Sequence, residues 1–225
     1  MRRGEKNGEG EVVSGIIVMR YGENAQRVIE RVKTRIEELK QGLPPGVEIV
    51  EEYDRSELIG EAISALSMKI WEELLIVAII VIIFLLHARS AFVALISVPI
   101  GILVSFLIMY SMGINANIMS LGGIAIAIGT MVDMGVVLCE NILKHLEKAD
   151  AQESRLEVIY RATMEVGSAV VTAVATTVVS FLPVFTMIGS EGKLFKPLAY
   201  TKTFALLGSV IVAITIVPVL SSFLL

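Results

Sequence analysis

Ser90–Leu143 reads SAFVALISVPIGILVSFLIMYSMGINANIMSLGGIAIAIGTMVDMGVVLCENIL, and two of its side chains are acidic or basic, Asp133 and Glu140. A run that long with so little charge excludes an ordinary soluble domain and predicts membrane spans. Outward from it the charge is uneven. Residues 1–73 hold eleven Lys/Arg against fifteen Asp/Glu, and residues 74–225 hold eight of each. The first third is therefore a water-facing, mildly acidic segment, and the rest is largely membrane. No basic stripe carries aromatics, which argues against nucleic acid as a partner. Cys139 is the single cysteine, which excludes a disulfide framework and a cysteine zinc cluster. The opening residues run from Met1-Arg-Arg-Gly into polar sequence rather than an apolar h-region. An exported N-terminal domain without a visible export signal leads us to expect a piece of something longer.

The fold class that follows is mainly α, a polytopic helical membrane protein with a small N-terminal α/β fragment. Residues 1–10 are Gly- and charge-rich and are expected to be loose. Val12–Arg20 is β-branched and predicts a strand. Asn24–Lys40 places Val28, Val32, Ile36 and Leu39 at three- and four-residue steps, the spacing of an amphipathic helix. Gly42 and Pro44-Pro45-Gly46 stop it. Val47–Tyr53 predicts a second strand. Strand, helix and strand make a poor independent core, so residues 1–55 call for sheet partners from elsewhere.

From Arg55 the pattern turns helical and runs into the apolar stretch Leu74–Leu86. Residues 56–225 form the transmembrane region, with five spans expected over about 72–87, 91–110, 118–143, 162–188 and 198–225. Pro99, Pro183 and Pro218 fall inside spans, where neighbouring helices re-satisfy the freed backbone. One set of connections carries Arg89, Lys144, Lys148, Arg155 and Arg161; the other carries Lys193 and Lys196, with Lys202 just inside the next span. The positive-inside rule puts the first set in the cytoplasm and the N-terminal segment outside.

Asp133 is the sharpest chemical signal. It lies fifteen residues into the third span, about 22 Å along it. A carboxylate there is expensive unless it titrates or has a partner. It reads as a proton carrier or ion site, against the plainer reading of a carboxylate hydrogen-bonded between helices. Glu140 follows seven residues on and shares its face; its position near the helix end also fits simple hydration. Ala125 and Gly129 have the spacing of close helix packing, which would keep Asp133 away from lipid. Thioethers suit Cu(I) and Ag(I), and the chain has ten methionines. Spacing alone leaves them as packing residues. His87 and His145 fit interfacial solvation, Cys139 a small core residue, and Lys193, Lys196 and Lys202 exposed or snorkelling cations. No Ser/His/Asp constellation, P-loop or metalloprotease helix is present, so any energy would have to come from an ion gradient, and the chain does not read as an enzyme.

Asn115–Glu147 (NANIMSLGGIAIAIGTMVDMGVVLCENILKHLE) resembles the fourth transmembrane helix of the resistance-nodulation-division exporters, most closely the heavy-metal efflux branch of copper/silver type. The likeness extends through Gly10–Ala25, Tyr53–Ile59, His87–Gly101, Phe181–Gly208 and Val217–Leu220. It implies a trimeric inner-membrane pump with a periplasmic adaptor and outer-membrane channel. The chain would supply the end of the second porter subdomain, in the periplasm, and transmembrane helices two to six. The resemblance matches Asp133 to the central acid of a proton relay and Glu140 to the acid seven residues on. It matches Met119 and Met131 to positions of a methionine path for Cu(I) or Ag(I), driven by the proton-motive force without a cofactor. Leu206 stands where the copper/silver pattern has methionine. Ala127 stands where zinc/cobalt members carry an extra Asp. Two alternatives stay open: a drug, lipid or protein-translocation member of the same superfamily, and a truncated, non-transporting remnant or interaction subunit.

Overall fold

The computed structural model describes residues 2–5, 11–20, 23–85, 87–150 and 152–225. It divides into two units, residues 1–56 and 57–225.

In the first unit, Arg2–Glu5 (β1) pairs antiparallel with Glu11–Ser14 (β2), with Arg2 opposite Ser14 and Glu5 opposite Glu11. Residues 2–5 were expected to be loose, so β1 is a correction; residues 6–10 lie outside the described set. The expected strand over Val12–Arg20 is cut short at Ser14, and the one expected over Val47–Tyr53 is not formed. A strand needs a neighbour to take its ladder hydrogen bonds, and among the described residues none lies beside these segments. Ile16 and Val18 are accordingly 86% and 83% exposed. Ala25–Lys40 (α1) forms as its spacing requires. The Asn24 side chain caps it, accepting from the Arg27 backbone N–H at 3.1 Å.

Behind α1, Lys33 Nζ reaches Asp54 at 2.5 Å, and Asp54 also accepts from the Ser56 backbone N–H at 2.8 Å and from the Ser56 hydroxyl. The Lys33 contact, then the two Ser56 bonds, hold the Asp54 carboxyl well below the usual carboxylate range. A carboxyl depressed on folding favours the folded state above its unfolded value, about 3.9. That contribution fades as pH falls through the folded value. Lys33→Ala is expected to move the Asp54 titration upward toward the ordinary range, as followed by carboxyl carbon resonances. An unmoved titration would show that Lys33 does not hold Asp54.

The second unit is helical: Ser56–Leu85 (α2), Ala88–Ser111 (α3), Ile118–Lys148 (α4), Arg155–Ser180 (α5), Leu182–Thr186 (α6) and Gly189–Leu224 (α7). It is the body of a polytopic α-helical membrane protein. Among the described residues four segments are long and apolar enough to cross a bilayer: Ala88–Ser111, Ile118–Lys148, Arg155–Thr186 and Gly189–Leu224. The first of the five expected spans falls short of that measure among the described residues. Its apolar run starts only at Leu74, because Lys69, Glu72 and Glu73 occupy the turns before it. Among its described residues that run buries Val81 and Leu85.

The core lies between α3, α4 and α7. Small residues set its spacing. A Cβ on Gly123 would stand 2.6 Å from the Leu198 carbonyl oxygen of α7, and one on Gly135 would stand 2.4 Å from the Ala94 carbonyl oxygen of α3. The backbones touch there, as small residues allow in membrane helices. Buried between them are Val93, Val98, Ile128 and Leu138. The fourth span, α5, packs beside α4 and α7 but buries little of its own surface.

Candidate functional site

A capping box starts α4. The Asn117 side chain accepts from the Ser120 backbone N–H at 3.0 Å, and the Ser120 hydroxyl accepts from the Asn117 N–H at 3.3 Å. The helix then presents two faces. Ile124, Ala127, Ile128, Met131, Leu138 and Cys139 point into the core. The opposite stripe is Ile126, Gly129, Asp133, Val137 and Glu140, all exposed.

Asp133 therefore lies on the open face of α4, not in the helix packing expected to shelter it. Among the described residues no hydrogen bond or ion pair reaches it. The reason is visible in the glycines. Those that pack tightly, Gly123 and Gly135, lie on the core side, whereas Gly122 and Gly129 have nothing within 4 Å. Glu140 shares the stripe with Asp133, as their seven-residue spacing requires. It is ion-paired with Lys144 at 2.6 Å at the end of the helix and is half exposed.

The two methionines part company. Met131 is fully buried. Its Cε fills the notch left by Gly101 of α3, 2.5 Å from where a Cβ would be. Met119 is half-buried near the start of α4. Twelve residues separate them, about 18 Å along the helix, so they do not share one ion. On α7, Ser209 packs against Gly101 beside Met131, and Leu206 is buried at 1% exposure. The Ser209 hydroxyl is buried without a hydrogen-bond partner. Beside Met131 the core thus offers one thioether and one unpaired hydroxyl. Among the described residues, no group of three His, Cys, Asp or Glu side chains could hold a metal ion.

Sequence reasoning missed Met109 and misplaced Lys202. Met109 of α3 is buried, its sulfur 3.3 Å from the Thr201 hydroxyl of α7, which donates to the Pro197 carbonyl at 2.8 Å. Nothing in its spacing separates it from the other methionines. Lys202 is buried at 8% exposure, with Nζ 4.0 Å from the Phe181 ring centroid, where a snorkelling cation was expected. The aromatic ring faces the ammonium and substitutes for part of its hydration. Cys139 is a buried core residue as expected, its thiol donating to the Ser90 carbonyl at 3.2 Å.

The family model described as the AcrB/AcrD/AcrF family matches residues 2–225. The chain belongs to that family. It is 49% identical to the cation efflux system protein CusA of Escherichia coli over 99% of this chain and 22% of the relative. It is 33% identical to the cobalt-zinc-cadmium resistance protein CzcA of Cupriavidus metallidurans, over 95% of this chain and 20% of the relative. A solved heavy metal efflux pump superposes with a TM-score of 0.73 at 29% identity, covering 87% of this chain and 19% of that one. The chain thus spans about a fifth of the length of the curated relatives it matches. These relatives bear out the resemblance to the heavy-metal efflux branch of the resistance-nodulation-division exporters, a family of transporters rather than enzymes.

Proposed function

We propose that the chain is a segment of a proton-driven permease that exports heavy-metal cations, with Cu(I) and Ag(I) favoured. The observation that carries the reading is Asp133. It is a carboxylate in the middle of a span, on an exposed face of α4 where no hydrogen bond or ion pair reaches it among the described residues. Left in lipid it would cost several kcal/mol, so in the working protein that face meets protein or water. There it can take up a proton, lose its charge and change what the stripe packs against. Glu140, seven residues on, continues the path toward the helix end, and Lys144 holds it in place. Net movement of one charge across 100 mV supplies about 2.3 kcal/mol.

Met119 and Met131 are the metal-contacting residues in this reading, as successive stations rather than one site. The copper/silver type of the resemblance supports a soft monovalent cargo, and identity to the cobalt-zinc-cadmium resistance protein is lower than to the cation efflux system protein. So does Ala127, which lies buried where a divalent-type acid would stand. The setting is the bacterial inner membrane, with residues 1–55 in the periplasm. The assembly is a homotrimer working with an adaptor and an outer-membrane channel.

The test uses a full-length permease carrying this sequence in a host stripped of its own copper and silver exporters. Met119→Leu and Met131→Leu conserve volume and cost under about 1.5 kcal/mol in packing. Each is expected to lower copper and silver tolerance, because leucine keeps the volume but not the thioether that suits a soft cation. Undiminished tolerance in both would return these methionines to packing. Leu206 favours one rival, because a path with a missing thioether also suits an organic cargo. Drug tolerance conferred by the same permease without metal tolerance would establish it.

A further inference from the structure

At the far end of α4, away from the Asp133 stripe, His145 sits between two acceptors. Its Nδ1 lies 2.9 Å from the Asn141 carbonyl oxygen, and its Nε2 lies 3.0 Å from Glu165 Oε2 on α5. A carbonyl oxygen has no proton to give, so Nδ1 must supply one. An ionised carboxylate also only accepts. The second bond therefore needs a proton on Nε2, or a proton on Glu165 donated to Nε2. In either form the pair holds one proton more than a neutral ring beside a carboxylate.

We propose that His145 and Glu165 form a proton-binding site separate from Asp133, and that the bound proton clasps α4 to α5. The site is built rather than accidental. Asn141, one turn before His145, donates from Nδ2 to the Ala162 carbonyl oxygen at 2.9 Å and to Glu165 Oε2 at 3.4 Å. It fixes the carboxylate from α4 whether or not the proton is present. Two of the neighbouring charges have closer partners, although Arg161 also acts on Glu165 electrostatically. Glu140 is paired with Lys144 on α4, and Arg161 of α5 is paired with Glu153 at 3.2 Å. Glu147 and Lys148 follow on α4, and Glu157 lies further back on α5. At the same end α3 brings His87 and Arg89, while the last turn of α7, Ser221–Leu224, carries no ionisable side chain. When the proton leaves, the ring keeps one N–H for two acceptors: either Nε2 turns a lone pair to the carboxylate or Nδ1 turns one to the Asn141 carbonyl, and in both tautomers the charge-assisted bond between the helices is lost. The proposal does not depend on the identity of the exported cation, nor on Asp133.

Backbone hydrogen exchange of the whole chain in lipid nanodiscs, with intrinsic rates divided out, reads this directly. Histidine is charged at pH 5 and neutral at pH 9. Protection over residues 141–148 and 158–166 is expected to be about threefold to tenfold higher at pH 5 than at pH 9, as a partly exposed charge-assisted hydrogen bond provides. Protection in α3 and α7 serves as the internal reference and is expected to stay level. His145→Gln keeps a donor facing Glu165 without a titrating proton, and Glu165→Gln removes the carboxylate. Both variants are expected to fold and to lose the pH difference. Equal protection at the two pH values in the unmodified chain would overturn the proposal. So would a pH difference that persists in both variants.

Discussion

Asp133→Asn is expected to abolish metal tolerance in a full-length permease carrying this sequence while leaving the protein folded and inserted. The substitution keeps the size and hydrogen-bonding shape of the side chain and removes its charge and its proton. Folding survives because Asp133 contributes no contact to the packing of α3, α4 and α7; it lies on the exposed stripe with Gly129 and Val137. Removing a charge from a membrane face is, if anything, favourable to insertion. Transport fails because a group that cannot change protonation cannot exchange metal movement for proton movement. Growth on copper and silver plates, beside quantification of the protein in isolated membranes, checks both halves. Asp133→Glu keeps a titrating carboxylate and is expected to retain part of the tolerance. Full tolerance in Asp133→Asn would remove Asp133 from the mechanism.

The second large effect is structural. Gly135→Ala is expected to destabilise the helical unit by about 3 kcal/mol, the upper end of overpacking in a close-packed core. The added Cβ would stand 2.4 Å from the Ala94 carbonyl oxygen and 2.9 Å from the Ser97 hydroxyl. The carbonyl belongs to the α3 backbone and cannot swing aside, so the two helices must part. Parting them also breaks the Cys139–Ser90 contact at 3.2 Å and opens gaps around Val93 and Leu138. Gly122→Ala is the control. It has nothing within 4 Å, and a helical Gly→Ala change of that kind stabilises by about 0.5–1 kcal/mol. Denaturant titration of the purified chain in detergent distinguishes them. Equal stabilities for the two variants would show that α3 and α4 do not meet at Gly135.

These predictions divide along the line of what the sequence could and could not convey. Periodicity is a property of one helix, so α1 and the four spans were legible from spacing and hydropathy alone. So was the placing of Asp133 and Glu140 on one face, since seven residues bring a helix back to nearly the same side. Which side meets a neighbour is a property of the neighbour. The glycines of α4 look alike in sequence, yet Gly123 and Gly135 touch backbone while Gly122 and Gly129 face open space. That is why Asp133 was expected inside the packing and lies outside it. Lys202 misled for a related reason. Its stem is long enough to reach water, but Phe181 stands beside it and holds it in the core. The strands failed differently. Val12–Arg20 and Val47–Tyr53 have the composition of strands, and composition does not supply the adjacent backbone that makes one. The His145 site was hidden because its second half, Glu165, comes from another helix twenty residues away.

The central claim is that metal export is coupled to a proton through Asp133. The most direct test is Ag(I) transport by the full-length permease in proteoliposomes with a pH dye in the lumen. A proton flux opposite to and dependent on Ag(I) movement, absent in Asp133→Asn, is the result expected. Ag(I) movement without a change in lumenal pH, or with the same change in Asp133→Asn, would contradict it.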